Sequence, residues 1–206
     1  MATPVSTSGP RRRIFIAVHL AAALREEILR LEDRLREAGA PLRWISPENL
    51  HFTVRFLGEI TTAQLAQVRL ATREVAASAA PFHLVLQGVG AFPSLARPQV
   101  IWIGVRQGSE GLAELSARLD EALARHRFPR EERPYTAHLT ITRLKHQRRW
   151  GEIVRALSGF KDVPVGAQRV ESLAIIESHL QAKGARYTGV EEVPLGGVLN
   201  PLDEDR

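Results

Sequence analysis

Cysteine is absent from this sequence of 206 residues, and methionine occurs only once. The absence of cysteine excludes disulfide bonds and thiolate metal sites, and it is typical of a reducing cytoplasm. Long hydrophobic runs are absent too, since no apolar stretch approaches the roughly 20 residues that span a bilayer. The first ten residues are small and polar and lack the apolar segment of a signal peptide. We therefore predict a cytoplasmic protein that does not enter a membrane.

Lysine is scarce, whereas arginine is abundant: the chain has 3 lysines and 25 arginines. The formal net charge is +5, which is modest for this length. Guanidinium groups match the geometry of phosphate oxygens, although the nucleotide bias of a genome produces the same excess of arginine. The charge therefore permits an RNA substrate without establishing one.

The hydrophobic periodicity alternates between strand and helix patterns along the whole chain. Groups of strands and helices occur in a similar order twice, which predicts two related α+β lobes that share a cleft. Predicted strands cover residues 14–20, 42–45, 50–57, 82–87, 100–105, 135–144, 169–178 and 186–193, with a Gly/Pro loop at 88–98. Predicted helices cover residues 22–38, 61–79, 112–125 and 150–157. We predict one bilobal domain at 11–196, between a disordered tail at 1–10 and a polar tail at 197–206.

One short pattern occurs twice and consists of His, an apolar residue, Thr and an apolar residue. Side chains alternate between the two faces of a strand, so that His and Thr share one face and the apolar residues the other. Random placement of 7 histidines and 10 threonines produces fewer than one His-x-Thr pair on average. A basic residue, Arg55 or Arg143, closes each run. The two copies are His51-Phe52-Thr53-Val54 and His138-Leu139-Thr140-Ile141.

Two such strands suit acid–base chemistry at a phosphodiester. One imidazole can take a proton from a nucleophile while the other gives a proton to the leaving group. Thr53 and Thr140 would supply hydroxyls to the phosphate oxygens, and opening of a cyclic phosphate in this way requires no metal. A metal site would need a third ligand, and none is evident. The remaining histidines lack the threonine and are assigned structural roles: His19, His83, His126, His146 and His179.

Residues 44–59 and 134–143 resemble the two signatures of the 2H phosphoesterases. The similarity is greatest to their RNA 2′,3′-cyclic phosphodiesterase branch, long called 2′-5′ RNA ligases. Residues 13–17, 90–93, 177–180 and 184–187 extend it, so that the resemblance covers roughly residues 11–196.

The resemblance implies a fold, an activity and residue roles. It implies two pseudo-symmetric α+β lobes, each an antiparallel sheet with helices on its outer side, around a central groove. It implies hydrolysis of an RNA 2′,3′-cyclic phosphate to a 2′-phosphate without a cofactor. By matching position, His51 is the proton donor and His138 the proton acceptor. Thr53 and Thr140 hold the phosphate, and Arg143 contacts it.

Three residues depart from the family pattern. Ala137 stands where a proline is common, and Thr136 stands where some relatives have a basic residue that meets the RNA end. His179 replaces a commoner arginine. These departures leave the acid–base pair unchanged but predict a weaker hold on one side of the RNA.

Two alternative functions stay open at this point. Within the enzyme class, the site could ligate 2′-5′ bonds or open small cyclic nucleotides such as ADP-ribose 1″,2″-cyclic phosphate. From another class, the chain could be a non-catalytic module that binds RNA ends, although four intact His and Thr positions argue against it. In each case the partner is an RNA end or a small cyclic nucleotide. We predict no protein partner and a monomer.

Overall fold

The computed structural model describes residues 10–39, 42–144, 150–181 and 184–196, which form an α+β fold. The predicted tails lie almost wholly outside these residues. The helices are α1 (Ala22–Glu37), α2 (Thr62–Ala77), α3 (Ser109–Arg125) and α4 (Trp150–Ser158). The strands are β1 (Arg12–His19), β2 (His51–Ile60), β3 (Phe82–Phe92), β4 (Val100–Gln107), β5 (His138–Arg143), β6 (Pro164–Val170), β7 (Ser172–Gln181) and β8 (Gly184–Pro194).

The strands form two antiparallel sheets of four, in the orders β2-β1-β7-β8 and β5-β4-β3-β6. Each sheet ends in one of the two His-Thr strands, as expected for two related lobes. The halves of the chain nevertheless exchange strands: β3 from the first half pairs with β6 of the second half, and β7 from the second half pairs with β1. The two lobes are therefore interlocked, and each needs strands from both halves.

One hydrophobic core joins the helices to one face of both sheets. Its members include Ile28 of α1, Val68 of α2, Leu119 of α3, Ile16 of β1 and Ile103 of β4. The opposite face of the first sheet carries a smaller apolar cluster, which consists of Phe15, Ala17, Ala174 and Ile176 with Tyr187 packed against it. The helices thus cover the outer face, and the inner face is left for a groove.

The start of α2 is capped by side chains. The Thr61 side chain accepts a hydrogen bond from the Gln64 backbone N–H, and the Gln64 side chain accepts one from the Thr61 backbone N–H, so a capping box begins α2. Within the described part of the chain, no helix is both long and apolar enough to cross a membrane.

Glycines mark the places where predicted strand ends are wrong. The strand that was expected to close at Gly58 continues to Ile60, and the loop that was expected over 88–98 begins only after Phe92, because β3 continues to that residue. Both glycines adopt positive φ, of +69° and +75°, at irregularities of the strand pairing. At Gly88 a Cβ atom would lie 2.0 Å from the Lys161 carbonyl oxygen. These glycines therefore permit bulges and close backbone approach rather than ending a strand.

Three other predicted strands differ from the structure. The segment 135–144 forms a strand only from His138 onward. The segment 42–45 forms only an isolated bridge, between Trp44 and Thr142. The segment 169–178 contains the end of β6 and most of β7, which are separated at Glu171. The run was read as one strand because buried apolar residues lie on both sides of the break, at Val170 and Leu173.

Candidate active site

His51 and His138 begin β2 and β5, which are the neighbouring edge strands of the two sheets. A hydrogen bond links the segment that precedes β5 to β2: the Tyr135 hydroxyl donates to the Thr53 backbone oxygen at 3.1 Å. Burial raises the pKa of the Tyr135 phenol, so this donor stays protonated. The structure therefore brings the two predicted motif strands together at one groove.

A bulge occurs at the same position in both motif strands. Val54 has no partner on β1, because Ala17 pairs with Thr53 and Ile16 with Arg55. Ile141 is likewise skipped between the pairs of Thr140 and Thr142 on β4. The two residues after each threonine are consequently both buried, and the third is exposed. The bulge thus shifts the alternation of side chains by one residue.

This shift decides which basic residue lies in the groove. Strict alternation would place Arg55, four residues after His51, on the histidine face, and Arg143, five residues after His138, on the other face. The bulges reverse this arrangement. Phe56 and Arg143 occupy equivalent positions and return to the groove face, whereas Arg55 points into the protein.

Arg55 has a structural environment and lies outside the site. Its side chain is only 4% exposed. It forms an ion pair with Asp120 of α3 at 3.0 Å, a second with Glu131, and a hydrogen bond to the Pro129 carbonyl oxygen. The two basic residues that close the motif runs therefore have different roles, and only Arg143 is placed to meet a ligand.

The His51 ring is held in one tautomer by its surroundings. Its Nδ1–H donates to the Asn49 backbone oxygen at 2.8 Å, so the neutral ring has its lone pair on Nε2. Nε2 then accepts from the Thr53 hydroxyl at 3.0 Å. The ring also packs 4.7 Å from the Phe15 ring and 5.2 Å from the Tyr187 ring. These contacts direct Nε2 toward the groove.

His138 repeats this arrangement in the second sheet. Its Nδ1–H donates to the Thr136 backbone oxygen at 2.7 Å, which leaves Nε2 as the reactive nitrogen. The Phe92 ring meets the imidazole edge-on at 5.0 Å and packs against Trp102. In both strands the anchor is the carbonyl two residues before the histidine, so the pseudo-symmetry extends to the hydrogen bonds.

The backbone anchor explains why the departure at Thr136 leaves the histidine in place. The structure uses the carbonyl of Thr136, and every residue type supplies a carbonyl. His179 lies away from the groove, next to Glu177 with 3.8 Å between His179 Nε2 and Glu177 Oε2. Glu177 in turn pairs with Arg12. His179 therefore does not replace a cation in the groove.

Both imidazoles are held in the neutral form. Burial lowers the pKa of His51 to about 4; the hydrogen bond to Asn49 opposes this, and the charges of His19 and Arg143 add to it. Burial also lowers the pKa of His138, again against its backbone hydrogen bond and with a contribution from Arg143. The charge of Arg143 thus acts on both histidines.

The groove also contains residues that the motifs alone do not identify. Strand pairing brings four aromatic residues of other strands to the histidines: Phe15, Tyr187, Phe92 and Trp102. All but Trp102 belong to the short stretches that extended the family resemblance. Those stretches were therefore the feature of the sequence that could have identified these residues. Among the described residues, no group of three or more His, Asp or Glu side chains is arranged to hold a metal ion.

An interlocked two-lobed fold with one motif histidine from each lobe at a shared groove defines a class of proteins, the two-lobed phosphoesterases. A family model described as LigT like phosphoesterase matches the chain twice, at residues 18–102 and 103–187, with one motif histidine in each match. The chain therefore belongs to the LigT-like phosphoesterase family, and the resemblance inferred from the sequence is confirmed.

Individual relatives agree with this assignment. The chain is 33% identical over 179 residues to a protein of Methanothermobacter thermautotrophicus named RNA 2′,3′-cyclic phosphodiesterase, covering 87% of this chain and 96% of the relative. The crystal structure of TT0787 of Thermus thermophilus has a TM-score of 0.74 at 27% identity, covering 90% and 98% of the two chains. E. coli LigT complexed with 3′-AMP has a TM-score of 0.71 at 26% identity, covering 90% and 99%.

Proposed function

We propose that this protein hydrolyses 2′,3′-cyclic phosphate ends of RNA to 2′-phosphomonoesters, with His51 as proton donor and His138 as proton acceptor. The observation that carries the proposal is the matched pair of histidines. Each donates from Nδ1 to a backbone carbonyl and offers Nε2 to one groove. The name of the Methanothermobacter relative supports the cyclic RNA end as the substrate.

The proposed reaction needs two proton transfers. Neutral His138 takes a proton from water through Nε2 as the water oxygen attacks phosphorus. The bond between phosphorus and O3′ breaks, and protonated His51 gives its Nε2 proton to O3′. The products are a 2′-phosphate and a 3′-hydroxyl, and exchange of protons with solvent restores the two histidines. Thr53, Thr140 and Arg143 stabilise the charge that develops on the phosphate oxygens.

Substrate binding supplies what the free site lacks. His138 is already in the neutral form that a base requires, whereas His51 must gain a proton against burial and two nearby positive charges. The phosphate brings a negative charge between these groups and favours protonated His51. The Thr53 hydroxyl, which bonds to neutral His51 in the free protein, can then turn to a phosphate oxygen.

The pH dependence is expected to differ between the free enzyme and the substrate complex. The profile of kcat/KM should be bell-shaped, because His51 must be protonated and His138 must be neutral. Its alkaline limb should lie below the ordinary histidine pKa of about 6.5, because both imidazoles have a lowered pKa. The alkaline limb of kcat should lie at higher pH, because the bound phosphate raises the pKa of His51. Steady-state kinetics across the acid and neutral range measures both. Coincident profiles would contradict this account.

The identity of the product tests the substrate and the leaving oxygen together. We expect an oligonucleotide with a 2′,3′-cyclic phosphate to yield only a 2′-phosphate end, and the rate to be the same in the presence of EDTA. Chromatography against 2′- and 3′-phosphate standards distinguishes the products. A 3′-phosphate product would mean that O2′ leaves, and loss of activity with EDTA would mean that a metal takes part.

The monomeric state, the cytoplasmic location and the domain limits at residues 11 and 196 stay predictions.

A further inference from the structure

His19 lies directly opposite His51 in the antiparallel pair of β1 and β2. Residues opposite each other in such a pair project to the same face of the sheet. The preceding pairs, Val18 with Phe52 and Ala17 with Thr53, keep the register without a bulge. His19 therefore presents its imidazole on the groove face beside His51, although the sequence assigned it a structural role.

The His19 backbone is held by the Gln168 side chain. The His19 carbonyl oxygen accepts from Gln168 Nε2 at 2.9 Å, and the following Ala21 N–H donates to Gln168 Oε1 at 2.8 Å. Gln168 is buried and belongs to β6 of the other sheet. The imidazole itself is exposed, and no described residue forms a hydrogen bond or an ion pair with it.

One cation besides His19, Arg143, acts at this end of the groove. The charges that act on neighbouring His51 come from His19 and Arg143, and both oppose its protonation. Tyr187 of β8 packs against His51 as an aromatic ring, and Thr53 is the polar neighbour on β2. With no carboxylate among these groups, this end of the groove suits a second negative charge on the substrate in addition to the cyclic phosphate.

The direction of the proposed reaction places that second charge. In an in-line displacement the attacking and leaving oxygens lie on opposite sides of phosphorus. With water on the His138 side, O3′ leaves on the His51 side, and the ribose that carries O3′ lies there too. β1 is one strand further from β5 than β2 is, about 4.8 Å by the usual strand spacing. His19 is therefore on the ribose side of the site.

We propose that His19, as an imidazolium, binds the phosphodiester that precedes the terminal nucleotide. It thereby gives the enzyme a preference for oligonucleotide ends over cyclic mononucleotides. This inference rests on the proposed function, because it requires O3′ to leave on the His51 side.

Two substrates that differ by one phosphodiester test this role. They are adenosine 2′,3′-cyclic phosphate and the dinucleotide ApA with a 2′,3′-cyclic phosphate end. The readout is the ratio of kcat/KM for the dinucleotide to that for the mononucleotide. We expect His19→Gln to lower this ratio about five-fold, the size of one charge-assisted contact at an exposed site. His19→Lys should retain most of the ratio, because it keeps the positive charge.

A matched control separates this effect from a general loss of surface charge. His179→Gln removes an exposed histidine away from the groove and should leave the ratio at its original value. Equal urea-unfolding midpoints of the variants and the unaltered protein would show that all are folded. A ratio unchanged in His19→Gln, or one that His19→Lys lowers equally, would overturn the inference. Absence of hydrolysis of both substrates by the unaltered protein would instead reject the proposed function, and this inference with it.

Discussion

His51→Ala and His138→Ala are each expected to reduce kcat for an RNA end with a 2′,3′-cyclic phosphate by about 10³-fold, the usual contribution of a positioned general acid or base. The physical reason is that each variant loses the imidazole nitrogen that moves one of the two protons in the proposed mechanism. Because both transfers belong to one reaction, the double variant should lose little more than either single variant. Single-turnover kinetics measures these rates directly.

Two controls make this result specific. Glutamine at either position keeps the volume between the aromatic neighbours, so His51→Gln and His138→Gln test for loss of packing in the alanine variants. His83→Ala removes an exposed histidine without the His-Thr motif and should leave kcat unchanged. Wild-type rates in either motif variant would contradict the assignment. An unaltered protein that binds the RNA end without cleaving it would favour the non-catalytic module.

Arg55→Ala and Arg143→Ala are expected to have opposite effects, although the two arginines close equivalent runs of sequence. Arg55→Ala removes the nearer of two cations from the mostly buried Asp120, leaving the exposed Arg130 at 3.6 Å, and should lower the free energy of unfolding by about 2 kcal/mol. Arg143→Ala changes an exposed side chain and should alter it by less than about 0.5 kcal/mol. Urea denaturation of both variants measures the difference.

The Arg55 and Arg143 variants should also differ in catalytic activity. Arg143→Ala should lower kcat/KM at least about ten-fold, because a cation beside the phosphate is lost. Arg143→Lys should recover part of that loss but not all of it, since an ammonium cannot make a bidentate contact. Arg55→Ala should affect kcat/KM far less, when the rate is corrected for the folded fraction. Similar losses of stability in Arg55→Ala and Arg143→Ala would mean that the bulges do not reverse the two side chains.

The parts of the site that the sequence predicts are those that depend on neighbours along the chain. His51 and Thr53, like His138 and Thr140, are two residues apart, and local alternation is enough to put them on one face. The position of Arg143 depends on a bulge, and a bulge exists only relative to a partner strand. The reactive tautomer depends on the carbonyls of Asn49 and Thr136, whose directions follow from the backbone conformation before each strand.

The fold shows the same division. Helix spacing locates α2 from local pattern alone, whereas Gly88 was taken for the start of a loop. Its positive φ serves a bulge next to the Lys161 carbonyl, and no local pattern distinguishes that use of glycine from a turn. The aromatic rings around the histidines come from strands far away in the sequence, and their neighbours are set by sheet pairing.

By itself, the sequence determined the repeated His-Thr strands, the two-lobed α+β class and the family. The tertiary structure decided the rest: the exchange of β3 and β7 between lobes, the reversal of Arg55 and Arg143, and the place of His19 beside His51. The physical reason is that side-chain alternation is a property of one strand. Bulges, strand order and cross-strand neighbours are set by hydrogen bonds between strands that are distant in the chain.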